Sequence, residues 1–169
     1  MKLSKLVTAA LLAALLCVLA PITVPMGVIP LSAATLGVYL AAGMQDGRYA
    51  TLTVAVYILL GALGVPVFAG YTGGMGMLTG PTGGFLIGYV LCAAVSGGIL
   101  GGKARGWRVP LALVAGTLVL YVVGAGWYMW QSGCTIVTAL TVCVLPFLLW
   151  DGIKIAAATG ILSLLRKHI

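Results

Sequence analysis

Long apolar runs recur from one end of this chain to the other, and only short hydrophilic turns separate them. A helix rising ~1.5 Å per residue needs about 20 such residues to cross a ~30 Å hydrocarbon core. Of the 169 residues 62% are hydrophobic and 7% charged, too little charge to cover a soluble domain of this size. The sequence therefore predicts an all-α polytopic membrane protein, a single domain over residues 1–169 with six transmembrane helices.

The spans read as Leu6–Ala20, Ser32–Gly43, Tyr49–Val67, Gly83–Leu100, Val109–Trp130 and Phe147–Leu165. The first has a basic start and an apolar core like a signal peptide, but the polytopic context makes it a retained span. Pro21, Pro25 and Pro30 make residues 21–31 a loop. Residues 131–146 are apolar but short, and read as a loop with a short helix that stays on one side.

The net charge of +7 does not point to nucleic acid, because the basic residues sit in short clusters between apolar runs. Lys2 and Lys5 precede span one; Arg48 follows span two; Lys103, Arg105 and Arg108 follow span four; Arg166 and Lys167 follow span six. With six spans all four places face one side, which the positive-inside rule makes the cytoplasm. Both termini are then cytoplasmic. His168 reads as a solvated tail residue. Four cysteines without a C-x-x-C or a Cys/His cluster give no metal site, and no Ser/His/Asp set or P-loop exists, so neither catalysis nor ATP hydrolysis is expected.

Two features remain. Gly70–Tyr89, GYTGGMGMLTGPTGGFLIGY, is glycine-dense, uncharged and broken by Pro81. Irregular backbone of this kind is tolerated in a membrane where it is buried or lines a cavity, so it is expected to form one wall of a small-molecule pocket after the third helix. Candidate wall residues are Tyr71, Gly73, Gly74, Gly83, Gly84, Phe85 and Tyr89, with Trp150 nearby. The second feature is Asp151 and Lys154. The chain has only two acidic residues, Asp46 and Asp151, and Lys154 follows the latter by three, one turn along the same helical face. A charge within a span is costly and normally faces a partner or a cavity. The pair could hold helices in register, relay protons in a stand-alone carrier or channel, or bind a ligand; its place beside the glycine-rich segment favours binding. Ala9 and Ala13, and Ala10 and Ala14, form two small-xxx-small pairs that suit close packing within the fold or docking of another membrane subunit.

These residues resemble the BioY family, the biotin-binding S components of energy-coupling-factor (ECF) transporters. The resemblance covers nearly the whole chain and is strongest over Leu60–Tyr89, where LGALGVPVFAG leads into the glycine run and GPTGGFLIGY, and over Leu145–Lys154, LPFLLWDGIK. There are departures. Pro30–Thr35 reads PLSAAT where the family often has PITLQT, so Ala34 stands near the place of a Gln, and Trp150 replaces a common glycine. The resemblance implies an ECF S-component-like fold in a prokaryotic cell membrane. It implies biotin capture from outside at Asp151 and Lys154; sequence does not decide which pole of the ligand meets which residue, and the expectation is Asp151 on the ureido N–H groups, with Lys154 open between the ureido carbonyl and the carboxylate. It implies partners: membrane lipid, a transmembrane coupling protein docked on the alanine face, and two cytoplasmic ATPases. It implies no cofactor. An S component for another vitamin is the nearest alternative.

Overall fold

The computed structural model describes residues 2–25, 29–102 and 106–165, Lys2 by its backbone alone. Helix α1 (Lys2–Leu19) leads to a short antiparallel hairpin, β1 (Thr23–Val24) against β2 (Leu31–Ser32), with Thr23 opposite Ser32. Helices α2 (Ala34–Met44) and α3 (Gly47–Ala62) follow, then α4 (Met75–Thr79), α5 (Gly83–Leu100), α6 (Arg108–Ser132), α7 (Ile136–Cys143) and α8 (Leu145–Leu165).

Helix α2 is the centre of the bundle. It is apolar on every side, and a helix of that kind is stable only when enclosed. Gly37, Val38, Tyr39, Leu40, Ala41, Ala42 and Gly43 are all buried, with α1, α3, α5 and α8 packed around them. Tyr39 carries a hydroxyl into this core and meets the Thr117 hydroxyl of α6 at 2.6 Å, which satisfies both.

The fourth, fifth and sixth expected spans correspond to α5, α6 and α8. The earlier ones differ. The third stops at Ala62 instead of Val67, because Gly64 takes φ +100° and Pro66 cannot continue the helix. The second begins at Ala34, since Ser32 belongs to β2, and its 11 residues rise about 16 Å. The loop over residues 21–31 closes as a hairpin, and the segment after α3 contains a short helix, α4. Residues 131 and 132 extend α6, and Pro146 lies in the first turn of α8, where its missing N–H is harmless. Among the described residues, three stretches are long and apolar enough to cross a membrane: Gly83–Leu100, Arg108–Ser132 and the run Ile136–Leu165. Leu3–Leu19, Ala34–Met44 and Gly47–Ala62 are shorter apolar helices.

One end of the bundle gathers charge. Lys5 donates to Asp46 at 2.8 Å and lies 5.3 Å from the centre of the Tyr49 ring. Gln45, Asp46, Gly101 and Gly102 border the same recess, so the start of α1, the α2–α3 turn and the end of α5 lie together. The hydrogen bond from Lys5 holds the Asp46 carboxyl below its usual value. Its small stabilising effect is therefore present at neutral pH and lost as pH falls through the lowered value. Lys103, Arg105, Arg166, Lys167, His168 and the side chain of Lys2 lie outside the described residues.

Candidate functional site

At the opposite end, Asp151 and Lys154 project from α8 into a network that also draws on α2, α6 and β2. Asp151 is 3% exposed. Its Oδ1 accepts from Lys154 Nζ at 3.1 Å and from the Thr35 hydroxyl at 3.0 Å, and its Oδ2 accepts from the Tyr121 hydroxyl at 2.7 Å. Lys154 Nζ also donates to the Ser32 carbonyl at 2.7 Å and to Thr35 Oγ1 at 2.8 Å. The ammonium has three N–H donors, so these acceptors fill it. The buried ion pair has close geometry and further hydrogen bonds on both members, three accepted by the carboxylate and three donated by the ammonium, which offset the cost of keeping the charges out of water.

Ser32 fixes the loop side of this network. Its hydroxyl donates to the Ala20 carbonyl at 2.7 Å and accepts from the Ala34 N–H at 3.0 Å. The hairpin between α1 and α2 is thereby tied to the end of α1, to the start of α2 and, through Lys154, to α8.

The network is not sealed. A polar lobe of about 310 Å³ touches Ser32, Thr35, Phe85, Tyr89, Tyr121, Phe147, Asp151 and Lys154. A second, apolar lobe of about 390 Å³ is lined by Ala34, Tyr57, Phe68, Met77, Thr82 and Leu86. The lobes share Ile29, Pro30, Ser32, Phe85 and Tyr89, so they form one cleft. Those volumes count space open to the surroundings; the enclosed part is only water-sized, and a larger guest has to part the lining. Aromatic pairs shape the walls: Phe85 stacks on Phe147 at 6.4 Å, and Tyr57 meets Phe68 edge-on at 5.7 Å. Concavity and a few convergent polar groups among apolar walls are the ordinary attributes of a small-molecule site.

Phe85 and Tyr89 therefore lie with Asp151 and Lys154. The four candidate glycines build the surroundings. Gly74 takes φ +97°, and its N–H donates to the Gly61 carbonyl at 2.7 Å. A Cβ at Gly73 would fall 2.4 Å from the Val65 carbonyl oxygen, at Gly83 on the Leu78 carbonyl, and at Gly84 2.2 Å from Trp127 Cβ. Tyr71 stands outside the cleft, 70% exposed with φ 60°, and Trp150 is 43% exposed. The alanines divide: Ala9 and Ala13 are buried, and Thr53 donates to the Ala9 carbonyl at 3.5 Å, whereas Ala10 and Ala14 are exposed.

The sequence model of the BioY family matches residues 1–169. The chain belongs to the BioY family. It is 38% identical over 167 residues to the biotin transporter BioY of Thermotoga maritima, covering 96% of each chain. It is 36% identical over 169 residues to a probable biotin transporter BioY of Pyrococcus horikoshii, covering 99% of each. A crystal structure of an S-component for biotin from an ECF-type ABC transporter superimposes with a TM-score of 0.90 at 27% identity, over 98% of this chain and 92% of that one.

Within this BioY-family cleft several lining residues escaped the sequence reading. Thr35 sits in the very segment noted for its missing Gln. Tyr57 and Tyr121 had a signal, a phenol in the middle of an apolar run, where a hydroxyl needs a partner or a cavity. Ser32, Phe68 and Phe147 had none, because their role depends on which loop returns to which helix.

Proposed function

We propose that this chain captures biotin at the outer face of a prokaryotic cell membrane, as the substrate-specificity subunit of an ECF-type ABC transporter. The observation that carries the reading is a buried Asp151–Lys154 pair bordering a cleft with an apolar lobe, in a BioY-family chain whose relatives are named biotin transporters. Biotin matches that division. Its ureido ring offers N–H donors and a carbonyl to the polar lobe, and its thiophane ring and aliphatic tail suit the apolar one. The Asp151 carboxylate takes the ureido N–H groups, and the Lys154 ammonium takes the ureido carbonyl. Each contact replaces one that the pair now makes with Thr35, Tyr121 or Ser32.

Six crossings with both termini in the cytoplasm fit the charge distribution. Lys5, Arg48 and Arg108 adjoin one end of the bundle, and the cleft opens at the other, so the positive-inside rule turns the cleft outward. The shorter α1, α2 and α3 would then cross by thinning the bilayer around them, with flanking polar residues reaching to its surfaces. Transport energy would come from partner ATPases through a membrane coupling protein. Extraction of small molecules from the purified protein, followed by mass spectrometry and equilibrium binding, tests the reading. Biotin held tightly supports it; another vitamin in its place keeps the class and changes the substrate, and no binding of biotin rejects it.

Docking of the coupling protein is assigned to the exposed pair, Ala10 and Ala14, which lie four apart on the outer face of α1. Ala10→Trp and Ala14→Trp are expected to leave biotin affinity unchanged and to reduce co-purification of the coupling protein to background. Undiminished co-purification would move the docking face elsewhere. Ala13→Trp is expected to damage the fold itself, because Ala13 is 4% exposed inside the bundle.

A further inference from the structure

Among the described residues the cleft is charged in one lobe only: Asp151 and Lys154 border the polar lobe, whereas no described charged side chain lines the apolar lobe of Tyr57, Phe68, Met77 and Leu86. The remaining described cations, Lys5, Arg48 and Arg108, adjoin the other end of the bundle. Lys154 is itself committed to Ser32, Thr35 and Asp151, at 2.7, 2.8 and 3.1 Å. A carboxylate brought to it would displace one of these acceptors and stand beside the Asp151 carboxylate. Two like charges so close disfavour each other strongly. A carboxylate pressed into the apolar lobe would lose its hydration without a cation to replace it. A neutral ring also displaces one of these acceptors, but it meets neither the repulsion nor the loss of ionic hydration: its carbonyl can approach Lys154 and its N–H groups can approach Asp151 without adding charge.

We propose, resting on the biotin reading, that the site recognises the uncharged ring of its ligand and makes no ionic contact with the acid group of the tail. The ligand class then includes biotin derivatives whose carboxylate is capped as an amide or ester. The acid group of biotin itself is left to water, and capping it removes no protein contact.

Competition of biotin, biotinamide and biotin methyl ester against labelled biotin on the purified full chain tests this. Both capped compounds are expected within about fivefold of biotin's Kd, or tighter. Biotin binding accompanied by a larger loss for both capped compounds overturns the inference while leaving biotin capture intact. Failure of biotin itself to bind overturns both. Lys154→Met supplies a second readout. It is expected to weaken biotin and biotinamide by the same factor, whereas a loss confined to biotin would show that Lys154 holds the carboxylate.

Discussion

Asp151→Asn and Lys154→Met are each expected to weaken biotin binding at least tenfold, about 1.4 kcal/mol. The carboxylate of Asp151 accepts from Lys154, Thr35 and Tyr121 at once, and an amide cannot do the same. One of its two polar atoms becomes a donor facing donors. Lys154→Met keeps the length of the side chain but removes the ammonium, so the Ser32 carbonyl and the carboxylate both lose their cationic partner. Breaking a buried pair by deleting one member costs about 3–5 kcal/mol where the other charge is stranded, so stability must be measured beside affinity. A thermal midpoint in detergent provides that control. Were the pair only a register pin between α8, α2 and the hairpin, the midpoint would fall while the folded fraction kept its affinity. Loss of affinity in protein that remains folded identifies the pair as ligand contacts. Thr35→Val removes hydrogen bonds to both Asp151 and Lys154, and Tyr121→Phe removes one to Asp151; both leave the ion pair in place and are expected to lower the same thermal midpoint, since bonds to a charged group contribute about 1.5–3 kcal/mol each.

The contrast between what sequence disclosed and what it withheld follows from the kind of interaction involved. Asp151 and Lys154 were legible because charge within an apolar run is costly and three residues is one helical turn, both local facts. α5, α6 and α8 were legible because their apolar runs are long. α2 and α3 were harder. Their ends are set by Gly64, Pro66 and the hairpin at Ser32, and an apolar residue looks the same in a helix as in the loop that continues it. Thr35 and Ser32 acquire their role only when β2 returns beneath α8, more than a hundred residues away in the chain. The alanine stripe shows the same limit: spacing put four small residues on two adjacent strips of α1, but only packing against α3 separates the buried Ala9 and Ala13 from the exposed Ala10 and Ala14. The glycine-rich segment was expected to line the pocket. The segment does line the cleft, but through Met77, Thr82, Phe85, Leu86 and Tyr89, while Gly73, Gly83 and Gly84 let neighbouring chain segments approach closely.

That use of glycine leads to the second large effect. Gly84→Val is expected to destabilise the protein by about 2–3 kcal/mol, the upper part of the usual range for overpacking, and to weaken biotin binding as well. α5 and α6 share an extensive contact, and Gly84 and Gly88, four residues apart, bring α5 against α6. A Cβ at Gly84 would lie 2.2 Å from Trp127 Cβ and 3.1 Å from the Val123 carbonyl oxygen. Neither atom is the free end of a flexible side chain, so the helices themselves must separate. Trp127 Nε1 donates to the Gly80 carbonyl at 3.0 Å, and a displaced Trp127 would release the loop that leads into α5. Phe85 follows Gly84 directly and stacks on Phe147 across the cleft, so the same displacement opens the wall against which the ligand packs. Gly126 provides the control. It lies in the same helix as Trp127, a Cβ there would have nothing within 4 Å, and Gly126→Ala should be neutral or stabilising by up to about 1 kcal/mol through helix propensity. Thermal midpoints and biotin affinities of the two variants, compared side by side, separate close helix approach from any general intolerance of substitution in α5 and α6. A wild-type midpoint and affinity in Gly84→Val would mean that the two helices stand farther apart than a glycine contact requires.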